Sequence, residues 1–323
     1  MRSICSLVLL ALSCHAVAAQ PPTRVNFGTV WFAQAEHGGF YQAVADGTYA
    51  KHGLDVNISM GGPQVNALQL LASGVTDICL SFDLQAINAV EAGIPVITVA
   101  ATFQKDPQVI IAHPWANSLA DLRGKPVMLA ATANVTFWPW LKKEFGYTDS
   151  MKRSYASSIA PFLIDKNIAQ QGYLTSEPYT IEQSGLKPKV FLLADYGYPP
   201  YGQTILTSRK MVEKNPAAVE QFVRASILGW ESYLADPRAG NALIKKHNPR
   251  MTDAQLAYSL EKMKAHGILT GGDAATLGIG AMTDARWKQT FDFMVKNGTA
   301  SAATDYRKAY TTKFLKGARD GAH

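Results

Sequence analysis

Runs of apolar residues and helical-period stripes follow one another along this chain, and Gly, Pro and Asp residues punctuate the changes. A strand over 24–29 runs into a turn at Trp31-Phe32-Ala33-Gln34-Ala35-Glu36-His37-Gly38-Gly39. A helix follows, with Phe40, Ala43, Val44 and Tyr49 on its inner face. Gly47 and Gly53 break that pattern, and a second strand starts at Leu54. Gly61-Gly62-Pro63 then opens a helix spaced by Val65, Leu68, Leu71 and Ala72, with Pro suited to a first turn. Strands over 77–80 and 95–100 flank another helix through Ala86, Ile87 and Val90, and Phe82-Asp83 stand at its start. Short apolar strands alternating with helical patterns predict parallel-sheet crossovers.

The plan repeats. The run 109–113 is a strand that can leave the first lobe, and Pro126 begins a new α/β unit at 126–130. Thr132 and Asn134 follow it, then the aromatic stretch Phe137-Trp138-Pro139-Trp140. Residues 167–173 lead into Thr175-Ser176-Glu177-Pro178-Tyr179. A strand at 190–194 precedes Tyr196, Tyr198 and Tyr201, and 204–207 reads as a return strand. From Asn215-Pro216 the chain is helical, with Val219, Phe222, Val223, Ile227 and Trp230 on one stripe and Trp287, Phe291 and Met294 on the last. The expected architecture is α/β with two doubly wound lobes and a cleft between them. Residues 24–113 and 205–323 form the first lobe and 114–204 the second, with crossings near 112–114 and 202–206.

Composition narrows this picture. The chain has 323 residues, 47% hydrophobic and 17% charged, an ordinary globular mix. Residues 1–18 read as a signal peptide, with an apolar core at Leu7–Leu12 and Ala16-Val17-Ala18 as the cleavage signal near Ala18 or Ala19. Cys5 and Cys14 leave with it, so Cys79 stands alone in an apolar strand and reads as a buried small hydrophobe. The net charge of +6 is scattered rather than gathered in a stripe, which argues against nucleic acid as a partner.

No phosphate-binding loop, dinucleotide fingerprint, nucleophile elbow or zinc-helix motif is present. The histidines are isolated, so no metal and no cofactor are expected. What recurs is polar and aromatic groups at strand ends, where open α/β sheets bind ligands. Trp31, Phe32, Glu36, His37, Gly62, Phe82, Asp83, Thr132, Asn134, Trp138, Glu177 and Tyr198 are the candidates for one shared cleft. Each also has a plainer reading. Trp31 and Phe32 can cap the core, His37 can cap a helix, and Glu177 can be a solvated loop acid. At most one of Trp138 and Trp140, either side of Pro139, should face the cleft.

Trp31-Phe32 through His37-Gly38-Gly39-Phe40-Tyr41, Gly53-Leu54-Asp55-Val56, Gly61-Gly62-Pro63, Asp121-Leu122 with Gly124-Lys125, Thr175 to Tyr179 and Asn215-Pro216 together resemble the exported solute-binding proteins of the thiamine-pyrimidine-precursor family. Nitrate-, taurine- and sulfonate-binding proteins are its broader relatives. The resemblance spans almost the whole mature chain. It implies a two-lobed periplasmic-binding-protein-like fold and a monomer in the periplasm. It also implies that a small planar heteroaromatic compound is handed to an ABC permease and its ATPase. In that branch an aromatic after the first strand stacks on the ring and acids bind its amino groups; Trp31, His37 and Glu177 match. Val30, Ala33 and Gly38 depart from the branch's usual Asp, Pro and Thr. A sulfonate, nitrate or carboxylate ligand, a pyrimidine-synthase-like enzyme and a ligand sensor are the alternatives.

Overall fold

The computed structural model describes residues 21–62, 64–155 and 157–315. The expected signal peptide, with Cys5 and Cys14, and Pro63 of the Gly-Gly-Pro turn lie outside the described residues. Ten strands form two five-stranded sheets. The first contains β1 (Thr23–Gly28), β2 (Leu54–Ser59), β3 (Ile78–Ser81), β4 (Val96–Phe103) and the late strand β10 (Gln203–Ser208), in the order β2-β1-β3-β10-β4. The second contains β5 (Gln108–Ala112), β6 (Val127–Leu129), β7 (Lys152–Ser154), β8 (Ala169–Tyr173) and β9 (Lys189–Leu192), in the order β7-β6-β8-β5-β9. Strands β1, β2 and β3 run parallel, as do β6, β7 and β8. One antiparallel strand lies inside each sheet, β10 in the first and β5 in the second. The two α/β lobes expected from the sequence are therefore present, each built on a mixed sheet.

One boundary moves. The strand at 108–112, counted with the first lobe's segment 24–113, pairs with β8 and β9 in the second sheet. The outward crossing therefore falls in 104–107. The reason is a property of the strand itself. All five residues of β5 are buried, and β8 and β9 flank it on both edges. The charged three-residue strand β7, which carries no hydrophobic pattern, sits at the edge of the second sheet.

The first lobe holds its ends together through aromatic packing. Phe27 on β1 lies 4.8 Å from Phe40 and 5.1 Å from Phe222, ring to ring. Phe40 belongs to the helix Gly38–Ala45, and Phe222 to the twenty-residue helix Pro216–Ala235. The stripe expected on that long helix, Val219, Phe222, Val223, Ile227 and Trp230, is buried throughout. Pro216 starts the helix, where its missing N–H costs nothing. Strand β4 is at an edge yet fully buried, because the chain near Gly280 and Tyr310 bridges to Ala101 and Thr98. Cys79 is buried in β3, and burial pushes its thiol up to about 12, so it packs as a neutral group.

Candidate functional site

The exit of β1 is pinned to the exit of β2. Thr29 Oγ1 donates to the Trp31 carbonyl at 2.7 Å and accepts from Gly61 N at 3.1 Å. Gly61 N also reaches the Trp31 carbonyl, at 3.1 Å. These bonds fix the two aromatics that follow. Trp31 and Phe32 are half-buried and meet edge to face at 5.7 Å. Gly62 is buried against the edge of the Phe32 ring, and the Arg250 guanidinium lies 5.3 Å from that ring's centre. Asn248 donates to the Ala33 carbonyl at 2.9 Å, tying the turn to the C-terminal helices.

A single 3-10 turn, Ala35–His37, then presents Glu36 and His37 before the helix Gly38–Ala45 begins. Glu36 is 1% exposed. Its Oε1 accepts from the hydroxyl of Thr175, which the second lobe supplies, and its carbonyl accepts from Gln203 Nε2 at 3.0 Å. Its Oε2 has no partner within the protein. Burial pushes the Glu36 carboxyl up from 4.5 to about 7; the Thr175 hydroxyl opposes this and the charge of Glu177 adds to it. His37 is equally buried, and burial lowers it from 6.5 to about 4 against the Phe32 backbone bond. At neutral pH its ring is uncharged, and its Nδ1 also lacks a partner within the protein. Other buried side-chain atoms, on Tyr41 and Gln170 among them, also lack partners; these two stand out because they occupy successive residues on the turn after Trp31 and Phe32, and each loses water's hydrogen bonds at a cost of about 1–3 kcal/mol.

Glu177 is differently placed. It opens the helix Glu177–Gln183, and both of its oxygens are engaged. Oε1 accepts from Tyr155 OH at 2.9 Å and Oε2 from Tyr173 N at 2.8 Å. Burial raises its pKa, and the Tyr173 and Tyr155 bonds hold it back. The Tyr173 phenol is pushed far up by burial and by the nearby charges of Asp106, Glu36 and Glu177. Asp106, in the crossover 104–107, is buried and raised well above its ordinary value; its Oδ1 accepts from Gln108 N at 2.9 Å. Three acids, one from each lobe and one from the crossover, thus influence one tyrosine where the lobes meet.

Asp83 and Tyr198 share the electrostatics of this cluster, Asp83 helping to raise Asp106 and Tyr198 being pushed far up by burial and by Asp106, Asp83 and Tyr173, but the remaining candidates are bonded elsewhere. Asp83 is fully buried at the start of the helix Asp83–Glu91, right after the buried Phe82. Its oxygens accept from Leu84 N (2.9 Å), Tyr201 N (3.0 Å) and Thr290 Oγ1 (2.9 Å), so it binds the return crossover to the last helix rather than a ligand. Trp138 is buried in the second lobe beside Tyr147, and its indole N–H donates to Asp149 at 2.9 Å. Trp140 packs on Tyr198 at 5.6 Å, and Tyr198 in turn lies 5.5 Å from Phe293 of the last helix. Neither tryptophan is free for a planar ligand. Thr132 and Asn134 are exposed; Asn134 bonds to the Ala131 carbonyl and Lys152 and not to Glu36, His37 or Glu177.

Sequence reasoning missed Thr175, Tyr173 and Asp106. Thr175 stands in the segment singled out for Glu177, and a hydroxyl beside an acid was its one available signal. Asp106 carried none. Among the described residues no three His, Cys, Asp or Glu side chains are grouped to hold a metal ion. Two surface hollows, of about 490 and 310 Å³, lie elsewhere. One is beside Asn88 and Ser301, the other behind the crossovers beside Lys105, Pro199 and Arg286.

Comparison with known proteins identifies the family and the fold. The family profile described as NMT1/THI5 like matches residues 34–240. The riboflavin-binding protein RibY of Chloroflexus aurantiacus is 26% identical over 93% of this chain and 88% of its own. The formylaminopyrimidine-binding protein of Halalkalibacterium halodurans is 25% identical over 84% of this chain and 88% of its own. The structure of the periplasmic aliphatic sulphonate binding protein SsuA from Escherichia coli superposes with a TM-score of 0.64 at 18% identity, over 89% of this chain and 92% of that one. The two sheets and their crossovers are thus the periplasmic binding protein fold, and by its profile match over most of its length the chain belongs to the NMT1/THI5-like family.

Proposed function

We propose that this protein is the extracytoplasmic solute-binding component of an ABC importer, and that its cleft captures a small planar heteroaromatic compound, a pyrimidine thiamine precursor or a similar ring. The observation that carries this reading is the pair Glu36 Oε2 and His37 Nδ1, buried and without partners in the protein, on the turn that follows Trp31 and Phe32. A ring stacked on Trp31 gains about 0.5–1.5 kcal/mol beyond area burial. Its amino or ring N–H groups give Glu36 the donor it lacks. Because the Glu36 carboxyl sits near 7, it offers an oxygen or an O–H to the ring edge with little change of pH. The ligands named for two relatives, riboflavin and a formylaminopyrimidine, are nitrogen heteroaromatics, which supports the same chemistry. An anionic sulfonate or nitrate would meet Glu36, Asp106 and Glu177, whose carboxyls already resist ionisation there. The leader at residues 1–18 supports export, and delivery to a permease and its ATPase follows from the solute-binding role.

Titration calorimetry of the mature chain tests this with aminopyrimidines, riboflavin, alkanesulfonates and nitrate. A heteroaromatic should bind and raise the melting temperature by mass action. Glu36→Gln should weaken it by about tenfold or more, the worth of a hydrogen bond to a charged group. Binding of sulfonate or nitrate alone would reject the assignment.

A further inference from the structure

Beside the exposed Lys296–Glu144 pair at 2.6 Å, two sets of contacts join the lobes. One surrounds the crossovers: Gly202 N bonds to the Phe103 carbonyl at 3.1 Å, Lys105 pairs with Asp195 at 2.6 Å, and Phe293 lies 5.5 Å from Tyr198 and 6.2 Å from Trp140. These groups sit where the chain itself ties the lobes, so they stay together in any hinge motion. The other set has no covalent link behind it. Helix Asp253–Ala265 of the first lobe reaches helix Glu177–Gln183 of the second. Ser259 Oγ approaches the Thr175 carbonyl at 2.6 Å and its own helix's Gln255 carbonyl at 2.8 Å, sharing one proton between them. Tyr258 meets Tyr179 ring to ring at 5.2 Å, and Lys262 caps the other side of the Tyr258 ring at 5.0 Å. Thr175 is thereby held twice by the first lobe, its hydroxyl by Glu36 and its carbonyl by Ser259.

We propose that Ser259 and Tyr258 form a closure latch, a pair of positioning residues that set the open–closed balance of the cleft through Thr175 and Tyr179. Ser259 is 3% exposed and directed at a backbone carbonyl, and Tyr258 at another ring; neither is on the Trp31–His37 turn. The latch therefore acts on affinity by the population of the closed state and not by choosing the solute. Any solute gains equally from it, and solute preference stays with Trp31, Glu36 and His37.

The test needs no solute, so it stands apart from the ligand assignment. Spin labels at the exposed positions 187 and 264, introduced as Lys187→Cys and Lys264→Cys in the chain without residues 1–18 and hence without Cys5 and Cys14, report the lobe separation by pulsed electron resonance; Cys79 is buried and stays unlabelled. The otherwise unaltered chain should give one dominant short separation. Ser259→Ala and Tyr258→Ala should each add a longer one, and Tyr258→Phe, which keeps the ring, should restore the short one. Unchanged distances in both alanine variants overturn the latch, as does a Tyr258→Phe distribution as long as that of Tyr258→Ala. Tyr258 is only half-buried, so its variants decide the matter even where Ser259→Ala fails to fold.

Discussion

Counted within each lobe, both sheets have the same order of parallel strands with one antiparallel strand set in fourth place. In the first lobe that strand, β10, is the last strand the chain makes; in the second, β5 is the first. The second sheet is therefore complete within 108–192, a continuous stretch. The first sheet has a gap between β3 and β4 until β10 arrives more than a hundred residues later. Such a late pairing bears on folding rate more than on stability, because each doubling of loop length costs only about 0.6 kcal/mol. The first lobe also carries a dense aromatic cluster around Phe27, Phe40, Phe222 and Trp230.

The lobes also divide the chemistry. Glu36 in the first keeps an unpartnered oxygen, whereas Glu177 in the second is saturated by Tyr155 and Tyr173. On the proposed reading the first lobe offers the selecting group, and the second offers Thr175 to close upon it. A carboxylate at a strand end is thus not a ligand group by position alone; its partners decide.

The sharpest way to break the contrast in packing is at two glycines. A Cβ at Gly229 would stand 2.3 Å from the Gly39 carbonyl oxygen and 2.7 Å from the Ala43 Cβ, where two helix backbones touch. Gly229→Ala should cost about 3 kcal/mol by overpacking, read in urea unfolding. At Gly172 in the second lobe the nearest atoms are Ile111 Cδ1, Glu177 Oε2 and Glu177 Cβ, at 2.8, 2.9 and 3.0 Å, all side-chain atoms rather than backbone, though a shift of Glu177 strains its bond from Tyr173 N. There Gly172→Ala should cost about 1 kcal/mol. An equal loss at both sites would erase the distinction.

Glu36 can be tested by pH. Glu36 is raised from 4.5 to about 7, so the folded protein keeps a proton that the unfolded chain releases. This contribution is complete below pH 4.5 and is lost as the pH rises through about 7. It corresponds to roughly 3 kcal/mol. His37, lowered to about 4, acts in the opposite sense, its contribution being lost as the pH falls from 6.5 through about 4. Denaturation of Glu36→Gln and the unaltered chain at a series of pH values should show their stability difference shifting in the variant's favour between pH 4.5 and 7. A difference that does not vary with pH would remove Glu36 from the buried cluster.

Binding sharpens the same contrast with smaller effects. Trp31→Ala and Glu36→Gln should each weaken a heteroaromatic by about 1–2 kcal/mol in calorimetry, and Glu177→Gln by less. The reverse ranking would return the selecting role to the second lobe. Smallest of all, Asp195→Asn removes a surface pair with Lys105, whose side chains are 54% and 31% exposed, and should change stability by less than about 1 kcal/mol.

The legible parts of this protein were those carried by short-range pattern. Val219 to Trp230 repeats at helical spacing because one face of that helix is buried, and the structure buries it. The aromatic turn from Trp31 to His37 stood out because aromatic, acidic and imidazole groups crowd a strand end. Asp83 stood at an equivalent place and misled, since nothing nearby in sequence announces Tyr201 or Thr290. The crossing was placed a few residues late because the polar break Gln104-Lys105-Asp106-Pro107 reads equally as a loop within one lobe and as a passage between two.

The sequence by itself determined the strands other than β7, the main helices, their order and the two-lobed plan, since periods of two and 3.6 residues are written in neighbouring positions. Only the tertiary structure decided which acid is free. Thr175 reaches Glu36 across 139 positions, and Tyr201 and Thr290 reach Asp83 across 118 and 207. A hydrogen-bond partner at such separation leaves no periodic trace. Yet it alone distinguishes a carboxyl that can bind a solute from one that holds the fold together.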